Sequence, residues 1–190
     1  MLRSIAAALF LAASAPFATA TASASDRELS LTHVDVLYQD IDGEADGFAI
    51  RGSYGFGESN WYVFGDYSRS EIEALNDAHF TMGHLGVGYA LPIADPADFV
   101  LEGAYQYIRA AGDDLSGYRL GAGVRSRLGT PRVEGHVKAI HYGGGDLESQ
   151  WAANLGINVF FTDARRFSAI GEYEFGEDGD IYWIGLRATF

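Results

Sequence analysis

No cysteine occurs in the 190 residues, so neither a disulfide framework nor a thiolate metal site is available. Proline is nearly as scarce, at 4 residues, while glycine stands at 24 and aromatic residues at 14%. That mixture disfavours long helices and suits many strands joined by tight turns. Basic residues are few: 13 Lys and Arg face 26 Asp and Glu, and the formal charge of −13 argues against nucleic acid as a partner. Long apolar runs are missing too. The main candidate, residues 5–17, is shorter than the roughly 20 residues a membrane helix needs. It follows a positive start at Arg3 and precedes small-x-small sites ending at Ala20 and Ala24, the pattern of a cleavable secretory signal. We place cleavage after Ala24, with Ala20 as the alternative, so that residues 1–24 are the signal and residues 25–190 form one domain. Without a cysteine after the apolar run, a lipoprotein anchor is excluded.

What is present is period-two alternation. Val34, Val36 and Tyr38 share a face opposite His33 and Asp35; Phe48, Ile50, Tyr54 and Phe56 face away from Arg51 and Ser53. Leu85, Val87 and Tyr89 alternate with His84, Gly86 and Gly88, and Leu155, Ile157 and Val159 with Asn154, Gly156 and Asn158. Turn clusters separate such runs along the whole chain. The spacing predicts about ten strands of roughly 9 to 11 residues, the length a tilted strand needs to cross hydrocarbon. The weakest junctions are residues 92–96, with Pro92 and Pro96, and residues 159–167; a merged hairpin leaves eight strands as the alternative. Residues 68–77, 91–97, 111–115 and 143–150 read as loops.

Alternation alone does not say which face meets water, because a soluble sandwich or barrel turns its apolar face inward and a membrane barrel turns it outward. Three asymmetries select the membrane. Aromatics dot the apolar face near strand ends, as interfacial girdles require. The polar face carries Gly and Ala with six acids (Asp35, Asp66, Glu102, Glu134, Glu172, Glu174) and six bases (Arg51, Arg119, Arg125, Arg127, Lys138, Arg187), a balance suited to a closed ion-pair network in a narrow lumen. Alternate connections are acidic: Asp40, Asp42, Glu44, Asp46, Glu71, Glu73, Asp77, Asp113, Asp114, Asp146, Glu148, Glu177, Asp178 and Asp180 fall together, against Arg132, Arg165 and Arg166 at the other end.

The last nine residues carry a resemblance. Tyr182, Ile184, Leu186, Ala188 and Phe190 alternate with Trp183, Gly185, Arg187 and Thr189, and the chain ends on an aromatic ring. This resembles the closing strand of bacterial outer-membrane β-barrels, where such an ending is the signal read by the barrel-assembly machinery. The chain is similar to the opacity-protein, OmpX and OmpA-barrel class. The stretch from Asp42 to Phe48 and on to Phe64, Gly65, Asp66, Tyr67 and Ser68 is also similar to small xanthomonad-type outer-membrane proteins. The resemblance implies an all-β, antiparallel up-and-down transmembrane β-barrel in the Gram-negative cell outer membrane, reached by Sec-type export and in contact with lipopolysaccharide. With the carboxy terminus on the periplasmic side, the acidic rim is extracellular. That class implies structural, adhesive or surface-interaction roles more often than catalysis, and the short loops depart from the long loops of adhesive relatives.

Candidate sites follow. The lumen network is expected to contain Arg51, Asp66, Glu102, Arg119, Arg125, Glu134, Lys138, Glu172, Glu174 and Arg187, with Glu172 and Glu174 as partners for Arg187. Hard cations choose oxygen ligands, so Ca²⁺ or Mg²⁺ could sit at Asp40, Asp42, Glu44 and Asp46. That loop fails the EF-hand pattern, because Ala45 holds the Gly position and Arg51 stands where a bidentate Glu belongs. No other cofactor is expected. His79 and His141 near the rim, with Ser68 and Ser70, are the candidates for a lipid-modifying enzyme, but no stretch matches a nucleophile motif and no enzyme is expected. The expectation is a non-enzymatic barrel with a polar, largely side-chain-filled lumen, acting in envelope integrity or surface interaction. The alternative is a narrow channel for small solutes or ions.

Overall fold

The computed structural model describes residues 29–72, 78–110, 113–177 and 179–190. The signal at residues 1–24 and the rim acids Glu73, Asp77 and Asp178 lie outside the described residues. The strands are β1 (His33–Ile41), β2 (Ala45–Gly55), β3 (Trp61–Ile72), β4 (Ala78–Ala94), β5 (Ala97–Ala110), β6 (Asp113–Arg127), β7 (Val133–Gly144), β8 (Leu147–Phe160), β9 (Phe167–Gly176) and β10 (Gly179–Thr189). Each pairs antiparallel with its neighbours in sequence, and β10 returns to pair with β1, closing the barrel. Ten strands are therefore present, not eight; both doubtful junctions are turns. Carrying the pairings once round from His33 returns at the level of Ala45, a stagger of 12 residues. For ten strands that stagger gives a tilt of about 40° and a backbone radius of about 10 Å.

Several stretches expected to be loops are strand. β4 runs through Pro92 to Ala94 with a register shift at Pro92, where the missing N–H is accommodated by an irregularity in the ladder. β3 reaches Ile72, β6 begins at Asp113, and β7 and β8 close on a turn at Gly145 and Asp146. Strands reach 17 residues in β4 and 15 in β6, longer than hydrocarbon requires. The excess projects into water, where polar turn-forming residues can still pair in a ladder. Glycine supplies the tight reversal: Gly145, the first of the two loop residues, has φ of 60°, and Gly144, at the register shift just before it, has φ of 76°.

The outer wall is apolar. Val36, Phe48, Ile50, Leu85, Val87, Leu101, Leu120, Leu155, Ile184 and Leu186 are all exposed. Aromatic pairs mark both margins, with Trp61 against Tyr89 at 5.0 Å near the terminal end and Tyr173 stacked on Tyr182 at 4.6 Å near the far end. Inside, the expectation of a polar lumen needs correction. Ile72, Phe80, Met82 and Ile108, backed by Ile41, Ala45, Leu115 and Leu147, fill the far mouth with apolar side chains. Leu37, Ile140, Tyr142, Ile170, Ile181 and Trp183 form a further apolar cluster set among the central polar groups, where Trp183 lines the central cavity and donates to Gln39 and Tyr142 donates to Glu174. The terminal mouth holds Leu31, Tyr62, Phe64, Val100 and Ala104. The polar residues occupy the space between. Lumenal rings are accommodated by glycine on the next strand: a Cβ at Gly88 would strike the Tyr62 ring, and one at Gly156 the His136 ring.

Candidate functional site

The register brings the central charges together. Asp35 on β1 lies directly opposite Arg187 on β10 and Arg51 on β2. Arg187 donates to Asp35 in a fork, Nε to Oδ1 at 2.7 Å and Nη2 to Oδ2 at 2.8 Å. Arg51 Nε is 3.5 Å from the same carboxylate, while its Nη1 donates to Glu172 on β9 at 2.7 Å. One buried carboxylate thus holds two guanidiniums, and one of these reaches across the lumen to a second acid. Arg187 was expected to pair with Glu172 or Glu174; its partner is Asp35, because the closing register places that residue beside it. Asp35, one of the six inward acids, is the hub of this cluster.

A second hub is Glu102 on β5, which accepts from Tyr62 Oη at 2.9 Å, Arg119 Nη1 at 3.1 Å and Lys138 Nζ at 2.7 Å. Glu174 accepts from Tyr142 Oη at 3.2 Å, and Asn154 Oδ1 lies 2.7 Å from His136 Nε2. Asp66 faces His84 at 3.2 Å. Two residues of the expected network sit away from this centre. Glu134 pairs with Arg165, whose guanidinium lies 4.7 Å from the centre of the Phe160 ring at the terminal rim. Arg125 donates to Asp98 at 2.8 Å and to the carbonyls of Leu29 and Ser30 at 3.1 and 3.0 Å.

Those carbonyls belong to a short segment before β1 that enters the terminal mouth. Leu29 and Leu31 are buried there; Ser53 Oγ donates to the Leu31 carbonyl at 2.7 Å, and Ser30 Oγ to the Phe190 carbonyl at 3.2 Å. The segment is a plug, with Arg125 as its clamp. Nothing in its composition marked it, since Leu-Ser-Leu-Thr reads as the start of a strand. Replacing Arg125 by Ala removes the clamp and its hydrogen bonds to Asp98, a loss of about 1.5–3 kcal/mol. The expected result is faster reaction of a Ser30→Cys reporter with an impermeant maleimide, a clean readout in a chain without native cysteine. Equal labelling rates with and without Arg125 would show that it clamps nothing.

The space left between the hubs is small. A cavity of about 120 Å³, lined by Arg51, Asp66, Glu102, Arg119, Lys138 and Glu172 among others, has room for about eight to twelve waters at roughly 10–15 Å³ each. At the far rim, Asp40 Oδ1 accepts the Gly43 N–H at 3.0 Å and Asp42 Oδ1 the Asp180 N–H at 2.7 Å, so both carboxylates brace turns. Glu44 and Asp46 are exposed, and among the described residues no group of three or more His, Asp or Glu side chains is placed to hold a metal. At the terminal rim, Arg132 forks onto Asp163 at 2.6 and 3.0 Å, and these hydrogen bonds hold the Asp163 carboxyl below the usual carboxylate range.

The rim histidines and serines do not meet. Ser68 and Ser70 are buried inside, bonded to Gln39. His79 and His141 sit on the outer wall, His79 beside Glu71 at 3.5 Å and His141 bonded to Ser149 at 3.0 Å. The terminal residues Tyr182, Ile184, Leu186 and Phe190 are exposed on the outer wall, with Ala188 on the same face, and Phe190 N donates to the Thr32 carbonyl at 3.1 Å.

A closed antiparallel barrel with an apolar outside and buried charges inside defines a small transmembrane β-barrel of the outer-membrane type. No protein-family model matches this chain, and no curated protein matches it in sequence. Among solved structures it is similar to the KdgM porin, at 13% identity and a TM-score of 0.50 over 83% of this chain and 99% of that one. The KdgM porin in complex with disordered oligogalacturonate gives 14% identity and a TM-score of 0.49 over 83% and 99%. Neisserial surface protein A gives 16% identity and a TM-score of 0.37 over 84% and 94%. At such identities the likeness speaks for the fold alone.

Proposed function

We propose that the protein is a non-enzymatic, plugged outer-membrane barrel that acts through its surfaces, in envelope integrity or surface interaction. The observation that supports this reading is how much side chain fills the lumen: an apolar cluster at the far mouth, about 120 Å³ of space among the central charges, and the segment before β1 held at the terminal mouth by Arg125. A hydrated ion crossing either apolar cluster would shed water against side chains such as Phe80 and Met82 or Leu31 and Val100, with few polar groups beside them to replace it. On this reading residues 1–24 are removed on export, the terminal end faces the periplasm, and the terminal strand with Phe190 is read by the assembly machinery. The acidic rim then faces outward beside lipopolysaccharide.

A narrow channel is the second reading, and the likeness of the wall to a porin favours it. Planar bilayers separate the two. The full chain, refolded and shown by its gel shift on boiling to be folded, is expected to give no current steps at any applied voltage below bilayer breakdown. Reproducible single-channel steps would defeat the plugged-barrel reading and establish the channel.

A further inference from the structure

The terminal mouth is a furnished site with an occupant in it. Leu29 and Leu31 are buried there, yet they lie before the first strand and take no part in the ladder. Four consecutive carbonyls of this segment are each met by a donor. Arg125 on β6 donates Nη2 to Leu29 and Nη1 to Ser30, Ser53 Oγ on β2 donates to Leu31 at 2.7 Å, and Phe190 N donates to Thr32 at 3.1 Å. Three of the four are read by side chains and not by a neighbouring strand. Reading of this kind recognises a peptide backbone, and side-chain pockets then supply the selectivity. Leu31 sits among Tyr62, Phe64, Val100 and Ala104, and β2 makes room for it with Gly55, where a Cβ would stand 2.8 Å from the Leu31 Cβ.

The segment can leave without breaking the wall. Arg125 keeps its hydrogen bonds to Asp98 at 2.8 and 3.2 Å, so its guanidinium is not stranded when the two carbonyls go. Thr32 is held separately, by the Gly55 N–H on its Oγ1 at 3.1 Å and by Phe190 on its carbonyl, and serves as the hinge. Behind the segment lies the charged chamber, whose lining includes Leu31, His33, Ser53 and Arg125. With both leucines out of the mouth the chamber opens to water at this end, while the far mouth stays packed.

We infer that the terminal mouth is a peptide-binding site for a Leu-x-Leu segment, filled in cis by Leu29 to Leu31 and open to the same pattern in trans when they leave. The inference deepens the plugged-barrel reading, and its test is separate from that one. Current steps from the parent protein would defeat the plugged barrel, whereas occupancy of the mouth is read by protection of a group inside the chamber.

An Asn154→Cys reporter in the chamber, in a chain without native cysteine, gives that readout through a small water-soluble methanethiosulfonate applied in detergent. Replacing Leu29 and Leu31 together by Ser, or Leu31 alone if the double variant fails its gel-shift test, vacates the mouth and leaves the site intact. Labelling is expected to run at least about tenfold faster in the vacated protein, because each buried leucine given up shifts the opening equilibrium by that factor or more. An amidated peptide of residues 25–32 is then added at about 1 mM, the order of effective concentration a short tether supplies, and should return the rate to within about twofold of the parent. The same peptide with Ser at both leucine positions should give no protection. Equal labelling of the parent and the vacated protein would overturn the inference, since the segment would then close nothing. So would fast labelling that the native peptide leaves unchanged, or protection that persists when Gly55→Ala is added, which would put the peptide elsewhere.

Discussion

Replacing Asp35 by Ala is expected to destabilise the barrel by about 3–5 kcal/mol, the cost of leaving buried charge without its partner. The reason is the arrangement around it. Arg187 loses both of its carboxylate contacts, and Arg51 loses one of its two acids, at a site where Asp35 is fully buried. Arg51 keeps Glu172, so the larger share of the loss falls on Arg187. Changing Arg187 to Leu in the same chain should therefore recover part of the stability, since the orphaned guanidinium is then gone. The measurement is the urea midpoint of the detergent-folded protein, read by the gel shift. If Asp35→Ala moves it no further than a surface exchange such as Asp95→Ala, the seam cluster is not what holds the barrel shut.

The second large effect concerns the lumen. Phe80→Ala thins the far apolar layer and Leu31→Ala thins the terminal plug; each should cost about 2–5 kcal/mol, and each alone should leave the bilayer silent. Barriers in series explain why: with one apolar layer intact, an ion still meets a dry constriction. The double variant is expected to give small current steps, because both constrictions are opened and the charges between them can be wetted. Current from either single variant, at the size seen in the double, would show that only one barrier operates. Silence from a folded double variant would place the block in the charged centre instead.

Much of the wall was legible in the sequence. The outward alternation of β10, from Tyr182 to Phe190, and the inward Arg51, Glu102, Arg119, Lys138 and Glu172 follow from period two and from the rule that membrane barrels turn their polar face inward. The partners were harder to read. Arg187 and Asp35 are 152 positions apart, and their meeting depends on the closing register, which depends in turn on every hairpin before it. The apolar mouth was hidden for a different reason. Ile72, Phe80, Met82 and Ile108 point inward where the rule expects polar residues, and Ile72 lies in a stretch whose Ser, Arg and Glu read as a loop. The plug before β1 was invisible because Leu29 to Thr32 alternate like the first residues of a strand.

The Asp35 cluster also bears on how the barrel closes. Its members are spread over β1, β2, β9 and β10, so it is complete only when β10 lies against β1. Until that pairing forms, Asp35 and Arg187 stand on separate edges; once it forms, the fork between them is buried inside the wall. The seam is therefore fastened twice, by ladder hydrogen bonds along its length and by a charge pair at one level inside it.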